Sequence, residues 1–150
     1  MGVKKNYIRE GETIRLNKYL SYKHHNQHPL GEHIGDCAVR AISYVTGIDY
    51  FKVKTDLSQN NPIGYMRNEV YTPYLEKLGY IHYWFGKHPE DRPTLRGLVN
   101  EHEDFFDNKK ILIVCTNHMT VIDNKVLIDY YDCSNMRVAM FFWLKDKQTE

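Results

Sequence analysis

Between residues 109 and 145 the chain carries four β-rich segments, KKILIVCT, HMTVID, KVLIDYYD and VAMFFWLK, parted only by short turns. Such short connections suit antiparallel neighbours and leave no room for the crossovers that parallel strands require. Helical patterns come before them. From about Asp36, the residues Ala38, Ala41, Ile42 and Val45 recur at three- and four-residue intervals until Gly47 breaks the pattern. DYFKVKTDLSQ reads as a second helix, and RNEVYTPYLEKLG as a third, interrupted or restarted at Pro73. YIHYWF reads as a strand, and PTLRGLVNEHE as a short helix with Pro93 in its first turn. Helices followed by a run of antiparallel strands define an α+β class.

The 150 residues fit one domain with a real hydrophobic core. We divide it into an N-terminal arm over 1–25, a mainly helical part over 36–104 and an antiparallel sheet over 109–145. Residues 6–23 read as an extended arm or edge strand. KHHNQHPLGEHIG then reads as a loop punctuated by Pro29, Gly31 and Gly35.

Composition excludes several classes of function. Twenty basic side chains against 19 acidic ones give a net charge of +1, which supplies no electrostatic footprint for nucleic acid or an anionic membrane. The 12 tyrosines come with no basic stripe and are expected to fill strands rather than stack on bases. No run is long enough for a transmembrane helix, and MGVKKNYIREGET has no apolar stretch of the kind a secretory signal needs. Cys37, Cys115 and Cys133 are odd in number and widely spaced. They argue against a disulfide framework and for a reducing, cytoplasmic setting.

Cys37 is the residue that asks for chemistry. In GDCAVRAIS it opens the helix, where backbone N–H groups converge and the macrodipole favours a thiolate. Asp36 is placed to cap that helix, although its charge works against a neighbouring anion. Packing alone would treat Cys37 as a small buried thiol. Arg40 lies one turn on, and could support the thiolate or pair with Asp36 or Asp129; an ordinary structural ion pair is its default role.

His118 opens the hairpin HMTVIDNKVLID. A two-residue turn at Asp123–Asn124 would pair Ile122 with Lys125 and, further along, His118 with Asp129. Directly opposed strand residues hold their Cβ atoms about 4.5–5.5 Å apart, close enough for an imidazole–carboxylate hydrogen bond. Asp129 would then orient His118 as the third member of a catalytic triad does. A different turn would bring Tyr130 or Tyr131 opposite His118. Asp132 is the reserve orienter.

GDCAVRAIS followed by NHMTVIDNKVLIDYYD resembles the papain-like cysteine peptidase superfamily, closest to its small C39-like and bacteriophage-encoded members. Asp36, Cys37, Arg40, Ala41 and Ile42 meet the pattern around the family's cysteine, and His118 to Asp132 meet the pattern of its histidine and acid. The resemblance spans residues of about 26 to 133. It implies a papain-like fold with Cys37 as nucleophile, His118 as general base and then acid, and Asp129 as orienter. It also implies a peptide or other amide substrate, no cofactor, and the host cytoplasm if the chain is phage-encoded. Papain-like enzymes place a Gln several residues before the Cys to donate to the oxyanion. Here position 31 is Gly31, and Gln27 or His28 upstream are the candidates. The same scaffold without turnover would instead be a binding or inhibitory protein acting on a host target.

Eight histidines invite a zinc reading, above all His24, His25, His28 and His33. They fall on a loop without HExxH or CxxC spacing, and Cys115 and His118 at odd spacing would point to opposite faces of one strand. No metal site is expected.

Overall fold

The computed structural model describes residues 9–32, 35–58 and 67–145. Residues 1–8 of the expected arm, His33 in the histidine-rich loop and Gln59 at the end of the second helical pattern lie outside the described residues. The architecture is α+β. Strands β1 (Thr13–Arg15) and β2 (Ser21–His24) come first, then helices α1 (Cys37–Thr46), α2 (Tyr50–Ser58) and α3 (Asn68–Lys77). Strand β3 (Tyr80–Trp84) and helix α4 (Leu95–Glu101) lead into β4 (Lys110–Cys115), β5 (His118–Asp123), β6 (Val126–Asp129) and β7 (Val138–Leu144).

The seven strands form one sheet in the order β1-β2-β6-β5-β4-β7-β3. The last four segments do pair antiparallel, as their short turns require. The sheet also draws strands from the parts of the chain read as arm and helices. β2 lies parallel to β6, with Tyr22 beside Leu127 and His24 beside Asp129, and β3 closes the other edge against β7. The pairing of β2 with β6 is possible because the whole helical part of the chain intervenes as the crossover.

β4 shows why the sheet is covered on both faces. Side chains alternate along a strand, and five consecutive residues of β4, Ile111 to Cys115, are all buried. Leu112 and Val114 join Met119, Val121, Ile128, Met140 and Phe142 in a core under α1, α2 and α3. Ile111, Ile113 and Cys115 join Ile122, Leu127, Val138 and Phe141 in a second core with Leu95, Leu98 and Val99 of α4.

Three local expectations change or hold for reasons visible in the structure. Pro73 sits inside a continuous α3 and neither interrupts nor restarts it. Pro93 lies before α4, whose cap is Thr94; its hydroxyl accepts the Gly97 N–H at 3.0 Å. Gly47 does terminate α1, in the left-handed conformation at φ +79°. Among the described residues, no helix is long and apolar enough to cross a membrane.

Phe142 is fully buried in the first core, edge-on to Tyr71 at 6.1 Å between ring centroids, whereas Leu144 at the end of the same strand is 56% exposed. Phe142→Ala should therefore destabilise the fold by about 3–5 kcal/mol, and Leu144→Ala by under about 0.5 kcal/mol, in urea denaturation.

Candidate active site

α1 begins at Cys37, with Asp36 at the cap position, but the Asp36 side chain makes no capping hydrogen bond. The expected cap fails because two other groups claim the carboxylate. Arg40 Nε donates to Oδ1 at 2.8 Å, and the Tyr50 hydroxyl of α2 donates to Oδ2. All three side chains are buried.

The β5–β6 hairpin turns at Asn124–Lys125, one residue later than expected. Both residues have positive φ, 50° and 64°, the geometry of a primed two-residue turn. The cause is tertiary. The Tyr44 hydroxyl of α1 donates to Asp123 Oδ2 at 2.9 Å, and Lys125 Nζ lies 2.7 Å from Asp107 Oδ1. Ile122 consequently pairs with Leu127, not with Lys125, and continuing that register brings Tyr131 opposite His118. The shift moves each partner by two residues, so side chains keep their faces. Asp129 becomes a diagonal neighbour of His118 and still reaches it.

His118 Nε2 lies 2.7 Å from Asp129 Oδ2. A carboxylate only accepts, so Nε2 carries the proton. Cys37 is the imidazole's other neighbour and also favours its protonated form. Burial by itself would lower the imidazole pKa. The hydrogen bonds to Asp129 and Cys37 and the charges of both outweigh it and raise the value from 6.5 to about 9.

The thiol and imidazole come from opposite sides of the sheet. Cys37 belongs to the core under α1, whereas His118 and Asp129 alternate with residues of that core and share the α4 side. They meet because β5 and β6 part at this end. Their ladder stops at Val121–Ile128, and beyond it the Thr120 hydroxyl donates to the Ile128 carbonyl at 3.2 Å in place of a backbone bond. A cavity of about 20 Å³ lies in this gap, lined by Gln27, Cys37, Arg40, Thr120 and Asp129 among others. That is room for about one water.

Asp129 is held by five groups. Its carbonyl accepts the His25 N–H of the chain leaving β2 at 2.8 Å. Oδ1 accepts the Tyr130 N–H at 2.8 Å and lies 3.6 Å from Arg40 Nη1. Oδ2 takes the Cys133 thiol at 3.6 Å as well as His118. The Tyr131 ring stands against the imidazole, 5.0 Å between centroids.

Of the other sequence candidates, Gln27 lines the cavity beside Cys37, whereas Asp132 and His28 are not part of its lining. Asp132 accepts the Ser134 N–H and sits 3.7 Å from Arg96, away from the imidazole's hydrogen bonds. Gln27 Nε2 donates to Ser43 at 3.2 Å, and its Oε1 lies 2.9 Å from His25. His28 Nδ1 accepts the Leu30 N–H at 3.0 Å while its ring packs on Tyr50. Both oxyanion candidates are thus already engaged with neighbours. His24 and His25 are likewise paired, with Tyr22 and Glu10.

Cys115 and His118 are opposed across the β4–β5 hairpin, so they share a face, contrary to the reading that set them along one strand. Burial pushes the Cys115 thiol up to about 12, and the Cys133 thiol up as well, so both are held in the neutral form. His118, Asp129 and Cys133 bring an imidazole nitrogen, a carboxylate oxygen and a sulfur within 4.8 Å of one another. Zinc accepts such donors, but an ion there would displace both hydrogen bonds on Asp129 Oδ2.

Sequence reasoning missed Tyr50 on Asp36 and Cys133 on Asp129, while Tyr131 beside His118 is the outcome named for a different turn. No spacing signals how α2 packs on the residue before α1 or how the chain folds back after β6. The Asp36–Arg40 pair was legible as an i,i+4 spacing, and Asp129 was named as the alternative partner; that one guanidinium reaches both was not expected. Comparisons with protein-family models, curated proteins and solved structures found no match, and fold alone would not define a function.

The raised imidazole pKa makes a stability prediction. The folded protein holds the His118 proton more tightly than the unfolded chain, so this stabilisation is complete below pH 6.5 and is lost as pH rises towards about 9. Across that window the unfolding free energy should fall as pH rises. Urea titrations at several pH values measure the slope, and Asp129→Asn should flatten it.

Proposed function

We propose that the protein is a papain-like cysteine hydrolase that cleaves a peptide or other amide bond through Cys37, His118 and Asp129. The observation that carries this reading is an imidazole hydrogen-bonded to the Asp129 carboxylate, with Cys37 as its neighbour at the start of a helix.

In this reading His118 Nδ1 takes the thiol proton, and the Cys37 thiolate attacks the substrate carbonyl carbon. The carbonyl electrons move to oxygen, and N–H groups of the α1 first turn stabilise that oxyanion. The imidazolium gives its proton to the leaving amine as the C–N bond breaks, leaving a Cys37 thioester. Water, losing a proton to His118, then hydrolyses the thioester and restores the thiol. Asp129 keeps the tautomer and stabilises the imidazolium throughout. Cys115 and Cys133 take no part as nucleophiles because both thiols have raised pKa values and stay neutral.

One observation favours a second reading, a protein that binds a host target with this scaffold but turns nothing over. The side chains of Gln27 and His28 are committed to Ser43 and Leu30. Loss of one oxyanion donor typically costs about 10²–10³-fold in rate.

Iodoacetamide labelling at pH 6 separates the readings. Cys37 should react well above a simple thiol of normal pKa, Cys37→Ala should abolish labelling of the native protein, and His118→Ala should slow it about 10²-fold or more. Cys37 reacting no faster than glutathione would end the hydrolase proposal. Rapid labelling without hydrolysis of a mixed peptide pool would assign the binding role.

A further inference from the structure

We propose that Arg40 is a positioning residue, a buried clasp that joins the Cys37 end of α1 to the Asp129 carboxylate and so sets how thiol and imidazole meet. The inference rests on the hydrolase reading of the same site and extends it to a residue that touches no reacting atom.

Three contacts carry it. Nε of Arg40 lies 2.8 Å from Asp36 Oδ1, and Nη1 lies 3.6 Å from Asp129 Oδ1. The guanidinium carbon stands 4.4 Å from the centre of the Tyr130 ring, and the residue is 6% exposed. A guanidinium is a planar fork whose donors diverge, so one side chain can serve two carboxylates; an ammonium presents a single charged point. Here the two carboxylates belong to the residue before the nucleophile and to the residue that orients the base.

Each end of the clasp has its own consequence. Asp36 stands next to Cys37, where an uncompensated carboxylate would oppose a thiolate. The guanidinium and the Tyr50 hydroxyl balance that charge and turn the carboxylate away from the helix amides. At the other end Asp129 can pivot about its side-chain bonds. Arg40 and the Tyr130 N–H on Oδ1 leave Oδ2 aimed at His118. The remaining titratable groups close to Asp129 include His118, Cys133, Cys115, Tyr22 and Tyr131. Burial biases the last four towards their neutral forms, so Arg40 supplies the permanent positive charge of the cluster.

The full-length protein and its Arg40→Met and Arg40→Lys variants test the inference with two readouts. In the pH profile of Cys37 alkylation, Arg40→Met should move the acid limb about one pH unit upward, equivalent to a roughly tenfold loss at pH 6, and Arg40→Lys should recover part of it. A folded Arg40→Met protein whose profile keeps its midpoint and only scales in height would overturn the proposal. The second readout needs no activity. In a Cys37→Ser background, the low-field proton resonance of His118 Nε2–H reports the bond to Asp129, with Asp129→Asn as the reference that lacks it. Arg40→Met should lose that resonance or move it upfield; an unchanged resonance overturns the clasp. If wild-type Cys37 proves an ordinary thiol, the hydrolase reading falls and the resonance alone decides the role of Arg40. If Arg40→Met does not fold, Arg40→Lys takes its place, and behaviour identical to wild type in both readouts overturns the proposal.

Discussion

Two carboxylates, those of Asp36 and Asp129, are withdrawn from water where α1 meets the sheet, and their burial governs what surrounds them. A buried charge left unpaired costs several kcal/mol, and removing one partner of a buried pair typically costs about 3–5 kcal/mol. One guanidinium lies against both carboxylates, and each carboxylate also has further donors: a tyrosine hydroxyl on Asp36; an imidazole, a thiol and a backbone amide on Asp129. The helix start and the end of β6 therefore have one relative placement that leaves no charge stranded. The chemistry proposed for Cys37 depends on that placement.

The sheet makes the placement possible. With both faces of β4 buried, the strand cannot shift without exposing one core, so the frame that carries His118 is rigid. At the site end the frame opens: β5 and β6 separate past Val121, and a threonine hydroxyl bridges the gap. That opening lets a histidine from one face of the sheet meet a cysteine from the other. The strand from the N-terminal arm completes the support, since β2 runs beside β6 as far as Asp129 and the next amide holds its carbonyl.

The hairpin shows how a local rule can mislead about geometry without losing the residues concerned. Turn chemistry favoured Asp123–Asn124, and taken alone that was sound. Asp123 is instead kept in its strand by Tyr44 from α1, while Lys125 accepts positive φ with its ammonium beside Asp107. Both contacts come from elements distant in sequence. The two-residue shift in pairing preserved side-chain parity, so His118 and Asp129 still share a face, now as diagonal neighbours. An odd shift would have parted them. The cap on α1 differed for a similar reason: Asp36 has the right type and position, but Arg40 and Tyr50 compete for it more strongly than the helix amides.

What the sequence determined by itself was the α+β order, the helix opening at Cys37, the strand opening at His118 and the apolar run of β4. These follow from local spacing, because helix and strand periodicity is a property of adjacent residues. Tertiary structure decided the register of the last hairpin, the recruitment of β2 and β3 into the sheet, and the bridge from Arg40 to Asp129. Those outcomes turn on which distant groups share a buried volume and must satisfy one another there. That balance of desolvation against pairing does not exist until the chain has closed.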